Sequence, residues 1–164
     1  MRILGTLFLC IGLIEVSASA RAADGPEGDG AAKLAVYQIC QALAAVDMGA
    51  SGSSSVTECN GIVRNLDGQK LPDNLSIHCL EATTARPEGY KYSGSCVQTD
   101  HDGDKLYMTY DGSRTGEIKW VGGTGKFKDI SGAGSLSVVA APESSPGHFA
   151  YTLTYEVNWT HKAK

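Results

Sequence analysis

The strongest constraint on this chain is a rhythm near its end. Phe149, Tyr151, Leu153, Tyr155, Val157 and Trp159 alternate without a break with Ala150, Thr152, Thr154, Glu156, Asn158 and Thr160. Successive strand residues point to opposite faces, so this is a long strand with one buried and one wet face. A helix would scatter the same aromatics around its circumference. Shorter stretches repeat the pattern: Leu75, Ile77 and Cys79; Tyr90, Tyr92, Gly94 and Cys96; Leu106, Met108 and Tyr110. Turn signals at Asp67-Gly68, Pro72-Asp73-Asn74 and Asp100-His101-Asp102-Gly103-Asp104 separate them. Glu117–Gly122 and Gly132–Ala141 read as further strands around a glycine-rich corner. Long strands with one apolar face favour closure, because closure removes sticky edges. The expected fold is all-β, a single antiparallel barrel. At about eight strands such a barrel is filled by side chains or holds one small ligand.

One segment resists this reading. In Lys33–Val46, the residues Ala32, Val36, Ile39, Leu43 and Val46 follow a helical stripe, and alanine favours helix. On residue pattern alone, helix and strand both remain open there.

The N-terminus reads as an export signal. Arg2 precedes an apolar run from Ile3 to Val16, broken by Glu15, and small residues follow, with cleavage after Ala20 or Ala22. The run falls short of the roughly 20 apolar residues of a membrane span. The expected organisation is a signal peptide at 1–22, a flexible leader at 23–32 and a barrel domain at 33–164, in a protein secreted or held in the periplasm. Cys40, Cys59, Cys79 and Cys96 remain after cleavage, an even count that reads as two disulfides in an oxidising compartment. No pair has zinc-knuckle spacing. Of three connectivities, Cys40–Cys59 with Cys79–Cys96 is favoured, because each pair would join neighbouring strands of a meander. The net charge of -4 disfavours nucleic acid and anionic lipid as partners. Nothing in the sequence sets an oligomeric state.

The most distinctive stretch is Gly122-Gly123-Thr124-Gly125-Lys126-Phe127-Lys128-Asp129-Ile130-Ser131-Gly132-Ala133-Gly134. It resembles the glycine corner of the allene oxide cyclase and dirigent-like, calycin-type β-barrels. Small secreted bacterial proteins with this corner are more similar still. They share a run matched here by Gly94-Ser95-Cys96-Val97-Gln98-Thr99-Asp100-His101-Asp102-Gly103-Asp104-Lys105, and a final strand matched by Tyr155-Glu156-Val157-Asn158-Trp159. The resemblance implies a barrel over residues 33–160 and a strand, not a helix, at Lys33–Val46. It permits a cyclase or isomerase acting on an oxylipin-like or phenolic substrate, yet assigns no catalytic residue by position.

Local motifs add little chemistry. The glycine corner is no phosphate loop: Trp120 stands where the first glycine belongs, and Phe127 follows Lys126. Asp100, Asp102 and Asp104 resemble the opening of a calcium loop, with Asp111 at the twelfth position. Lys105 replaces the required turn glycine, so a carboxylate-rich hairpin turn is the preferred reading and calcium a weak candidate. His78, His101, His148 and His161 show no ligand spacing, no nucleophile elbow occurs, and no cofactor is implied. What remains is a set of aromatics. Tyr90, Tyr92, Trp120, Tyr151 and Tyr155 either fill the barrel or line a pocket for a small apolar or aromatic molecule, with phenols orienting its polar end. A binder without catalytic machinery is the expected function. An enzyme of the kind just named, or an interaction protein with a solid barrel, are the rivals.

Overall fold

A computed structural model describes residues 28–68 and 72–162; the segment read as a signal peptide lies outside them. Eight antiparallel strands close into a barrel in sequence order. They are β1 (Gly30–Asp47), β2 (Ser53–Asn65), β3 (Leu75–Arg86), β4 (Gly89–Thr99), β5 (Lys105–Gly112), β6 (Thr115–Gly123), β7 (Ile130–Ala140) and β8 (His148–His161). Among the described residues no helix is long and apolar enough to cross a membrane.

The period-two faces are real. On β8, Leu153, Tyr155, Val157 and Trp159 are buried, and on β5 so are Leu106 and Met108. The helical stripe on β1 is not. Val36 is buried, but Ile39 is 74% exposed, and Leu43 and Val46 also face outwards. Ala32, Leu34, Val36 and Cys40 alternate inwards instead, with Gln38 among them. Partner strands on both sides override alanine's helical preference: β1 pairs with β2 and, from Gly30 to Gln41, with β8. The strand therefore starts inside the stretch expected to be a leader, with Gly30 opposite Trp159.

Both favoured disulfides are present, Cys40–Cys59 and Cys79–Cys96. Cys59 also lies opposite Cys79, so the four cysteines form one transverse row across β1 to β4. Followed onwards through Met108, Trp120, Gly132 and Trp159, the row returns to β1 at Gly30, not at Cys40. That offset is the stagger of tilted strands in a closed barrel. With sequence separations of 19 and 17, each bridge stabilises the fold by about 3 kcal/mol in the chain-entropy view.

One end of the barrel is plugged. Trp120 and Trp159 pack with ring centroids 5.6 Å apart, and Leu75, Leu106, Phe127 and Ile130 are almost wholly buried around them. Across this end the glycine corner docks on the aspartate turn. Lys126 Nζ reaches Asp100 Oδ2 at 2.5 Å and Asp102 Oδ2 at 2.8 Å, with the ammonium and the Asp100 carboxylate nearly buried. The Lys126 amide donates to Asp104 Oδ2 at 3.0 Å, and the Asp102 and Asp104 amides both donate to Asp100 Oδ1 at 2.9 Å. The calcium candidate is thereby corrected: a lysine ammonium sits between the carboxylates a cation would need. Among the described residues no group of three or more metal-ligating side chains is assembled. Gly125, at φ +52, is required here, because a Cβ would run into the Asp104 carboxylate.

Candidate functional site

The opposite end is built differently. Strand β3 continues its inward alternation past Cys79 to Glu81, which places a carboxylate inside the barrel wall. Tyr110 of β5 donates its hydroxyl to Glu81 Oε2 at 3.1 Å, and Thr83 Oγ1 donates to Glu81 Oε1 at 3.0 Å. Gly94, between them on β4, makes the first contact possible: a Cβ there would lie 2.5 Å from the Tyr110 hydroxyl. Tyr92 follows on β4 and is 8% exposed. Its hydroxyl has no hydrogen-bond partner among the described residues. A buried phenol without a partner costs about 1–3 kcal/mol, so this group marks a place where the barrel is polar beyond what its own packing uses.

Tyr90 stacks on Tyr92 with centroids 6.2 Å apart, and Tyr92 tilts against Tyr110 at 5.9 Å. Tyr151 packs on Phe149 from β8, and Tyr155 lies deeper, fully buried. Electrostatics tie the group together. Burial pushes the Glu81 carboxyl up from its ordinary value, against the hydrogen bonds of Thr83 and Tyr110. Burial first, and then neighbouring Tyr90 and Glu81 among others, push Tyr92 up to about 12. Tyr151 is raised to about 12 for the same reasons, burial, Glu81 and Tyr90. Tyr110 and Tyr155 are raised further, again by burial first. All these phenols are neutral donors at physiological pH, and Glu81 is a carboxyl held nearer to its protonated form than an exposed one.

Of the five aromatics singled out from sequence, the structure brings Tyr90, Tyr92, Tyr151 and Tyr155 to this end. Trp120 it does not: that ring is 2% exposed in the plug against Trp159. Two members of the cluster were missed. Glu81 extends the Leu75, Ile77, Cys79 alternation by one step, and Tyr110 extends that of Leu106 and Met108. Inward parity was the signal for both.

The described cavities open at the rim or on the outer faces of strands, not as a sealed chamber. One of about 740 Å³ lies at the phenol end, between the β3–β4 and β5–β6 turns, with Tyr90 in its wall. A ligand held in that cleft would occupy the barrel mouth.

No family model matches this chain, and no curated protein does. Solved structures do. One pterocarpan synthase dirigent protein is similar at a TM-score of 0.50 and 13% identity, over 83% of this chain and 88% of its own. A second is similar at 0.51 and 13%, over 82% and 97%. The barrel is dirigent-like. At this identity the likeness is one of fold, and a fold of this kind does not bring a ligand with it.

Proposed function

We propose that this protein is an exported dirigent-like barrel that binds a small aromatic or apolar molecule at its phenol end. The ring of the ligand lies against Tyr90, Tyr92 and Tyr151, and its polar end is oriented by the Glu81–Tyr110 pair and the Tyr92 hydroxyl. The observation that carries this reading is the Tyr92 hydroxyl, buried without a partner beside a hydrogen-bonded carboxyl–phenol pair. Such a group is costly when idle and gains a bond when a ligand donates to or accepts from it. Export is supported by the two disulfides, which persist in oxidising compartments. Trp120 lies in the plug against Trp159, away from this end.

Displacement of an apolar fluorescent probe by simple phenols tests the proposal. Tyr92→Phe removes only the orphan hydroxyl, so the fold should be unharmed while phenol affinity drops about tenfold, the equivalent of one hydrogen bond. A wild-type protein that binds neither probe nor phenol, or a Tyr92→Phe protein that binds equally well, sinks it.

A second reading has a specific observation behind it. Glu81, with its raised carboxyl, is suited to give a proton to a bound substrate, as a cyclase or isomerase would require. Two neighbours in fold are named synthases. Turnover of phenolic or unsaturated epoxide substrates that disappears in Glu81→Gln would move the protein from binder to enzyme.

A further inference from the structure

The rim cleft carries charge of the opposite sign to the rest of the chain. Its walls include Arg86, Lys91 and Arg114 against a single carboxylate, Glu88, with Tyr90 between them. The protein as a whole has a net charge of -4. These three cations, like several other lysines among the described residues, are in no ion pair; what sets them apart is that they gather around one cleft. Arg86 is held in place by its Nη1, which donates to the Ser53 and Ala85 carbonyls at 3.0 and 2.8 Å. Lys91 and Arg114 are exposed; Lys91 lies near the start of β4 and Arg114 in the β5–β6 turn at the same end.

Tyr90 joins this cleft to the barrel mouth, since its ring both lines the cleft and stacks on Tyr92. The two compartments prefer opposite charges. An anion pushed towards Glu81 would be repelled by its carboxylate and would lose water among buried phenols. At the rim it would gain charge-assisted hydrogen bonds from arginine. A molecule with one anionic end and one aromatic end therefore has a single favourable orientation, charge outwards.

We infer that the ligand is an aromatic carboxylate, its ring passing Tyr90 towards Tyr92 and its carboxylate held at the rim by Arg86, Lys91 and Arg114. The inference rests on the mouth-binding reading above and names the chemical class that site takes. Glu88 tempers the attraction and limits binding of small anions that have no ring to offer.

Calorimetric titration of the full disulfide-bonded protein with para-hydroxycinnamate and with its neutral methyl ester tests it. The acid is expected to bind about tenfold more tightly than the ester at low salt, a difference of about 1.4 kcal/mol. Raising the salt concentration should shrink that advantage, because the rim cations are exposed. The double variant Lys91→Gln, Arg114→Gln leaves Arg86 as the one rim cation, so it should cut the acid's advantage by at least half and leave the ester unchanged. Equal binding of acid and ester to the wild type, with both weakened by Tyr92→Phe, overturns the carboxylate inference and leaves the mouth site standing. An acid preference undiminished in the double variant overturns it as well. No binding of either compound overturns the mouth site and this inference together.

Discussion

At the plugged end of the barrel the buried carboxylate meets an opposite charge within the chain; at the phenol end the buried carboxyl has only neutral hydroxyl donors. Lys126 meets Asp100 and Asp102, and backbone amides take up the remaining carboxylate oxygens. Indole and aliphatic side chains fill the space behind them. At the other end Glu81 has two hydroxyl donors but stays short of full stabilisation, and the Tyr92 hydroxyl has none. Both ends cap the same eight strands, so the fold does not demand the difference. One end is built for stability. Both ends leave buried polar atoms without a partner among the described residues, the Trp120 and Trp159 indole N–H groups at one and the Tyr92 hydroxyl at the other. The phenol end, however, also holds a buried carboxyl raised above its ordinary value, a mark of a site kept for something outside the chain.

Removing a ring from the plug is the harshest way to challenge this contrast. Trp120→Ala should cost about 4 kcal/mol of unfolding free energy, as a large aromatic leaves a cavity that a strand barrel cannot collapse around. Urea unfolding followed by circular dichroism reads it. A loss below about 1 kcal/mol would mean the plug is looser than its burial indicates.

Next in size is the ion pair. Lys126→Met strands the nearly buried Asp100 carboxylate, with the more exposed Asp102 beside it, and should cost about 3 kcal/mol at neutral pH. The pH dependence has a definite sign. Burial pushes Asp100 up, but the bonds from Lys126 and from the Asp104 and Asp102 amides outweigh it and hold the carboxyl below its ordinary value. A carboxyl depressed in the folded state stabilises above its unfolded value, near 3.9, and that stability goes as pH falls through the folded value. The wild-type protein should therefore lose stability steeply in that acid range, and the Lys126→Met protein much less.

The smallest expected effect runs the other way. Glu81→Gln should raise stability, by about 1 kcal/mol at pH 8, because it removes a carboxylate that burial disfavours. Glu81 is raised in the folded state, so its cost is absent below the unfolded value and grows as pH climbs through the folded one. The gain should thus vanish near pH 4 and reach its full size in alkali, as melting temperatures across pH will show. If instead the substitution destabilises at every pH, the carboxyl is a structural anchor and the two ends are alike after all.

The sequence shows strands and turns far better than the contacts between them, for a physical reason. Turns and strand faces leave local signatures, so the alternation of Phe149–Thr160 and the meander pairing of cysteines were readable from spacing alone. Long contacts leave none. The glycine corner and the aspartate turn each stand out as motifs, but nothing in either says that Lys126 of the first is the cation of the second. Read apart, the aspartates resemble a calcium loop; read together, they are a lysine socket. On β1 the outward Ile39, Leu43 and Val46 mimic a helical stripe, because an outer sheet face carrying apolar residues blurs the contrast that periodicity depends on. At the mouth, Glu81, Tyr92, Tyr110 and Tyr151 come from four strands and meet only on closure. Inward parity could place each on the inner wall. It could not say that they meet.

The row of cysteines has a mechanical consequence. Covalent rungs join β1 to β2 and β3 to β4, leaving β5 to β8 held by ladder hydrogen bonds and packing. Half the hoop is riveted and half is not. Glu81 and Tyr92 ride on the riveted arc, Tyr110 and Tyr151 on the other, so any guest gripped between them closes a clasp across the seam.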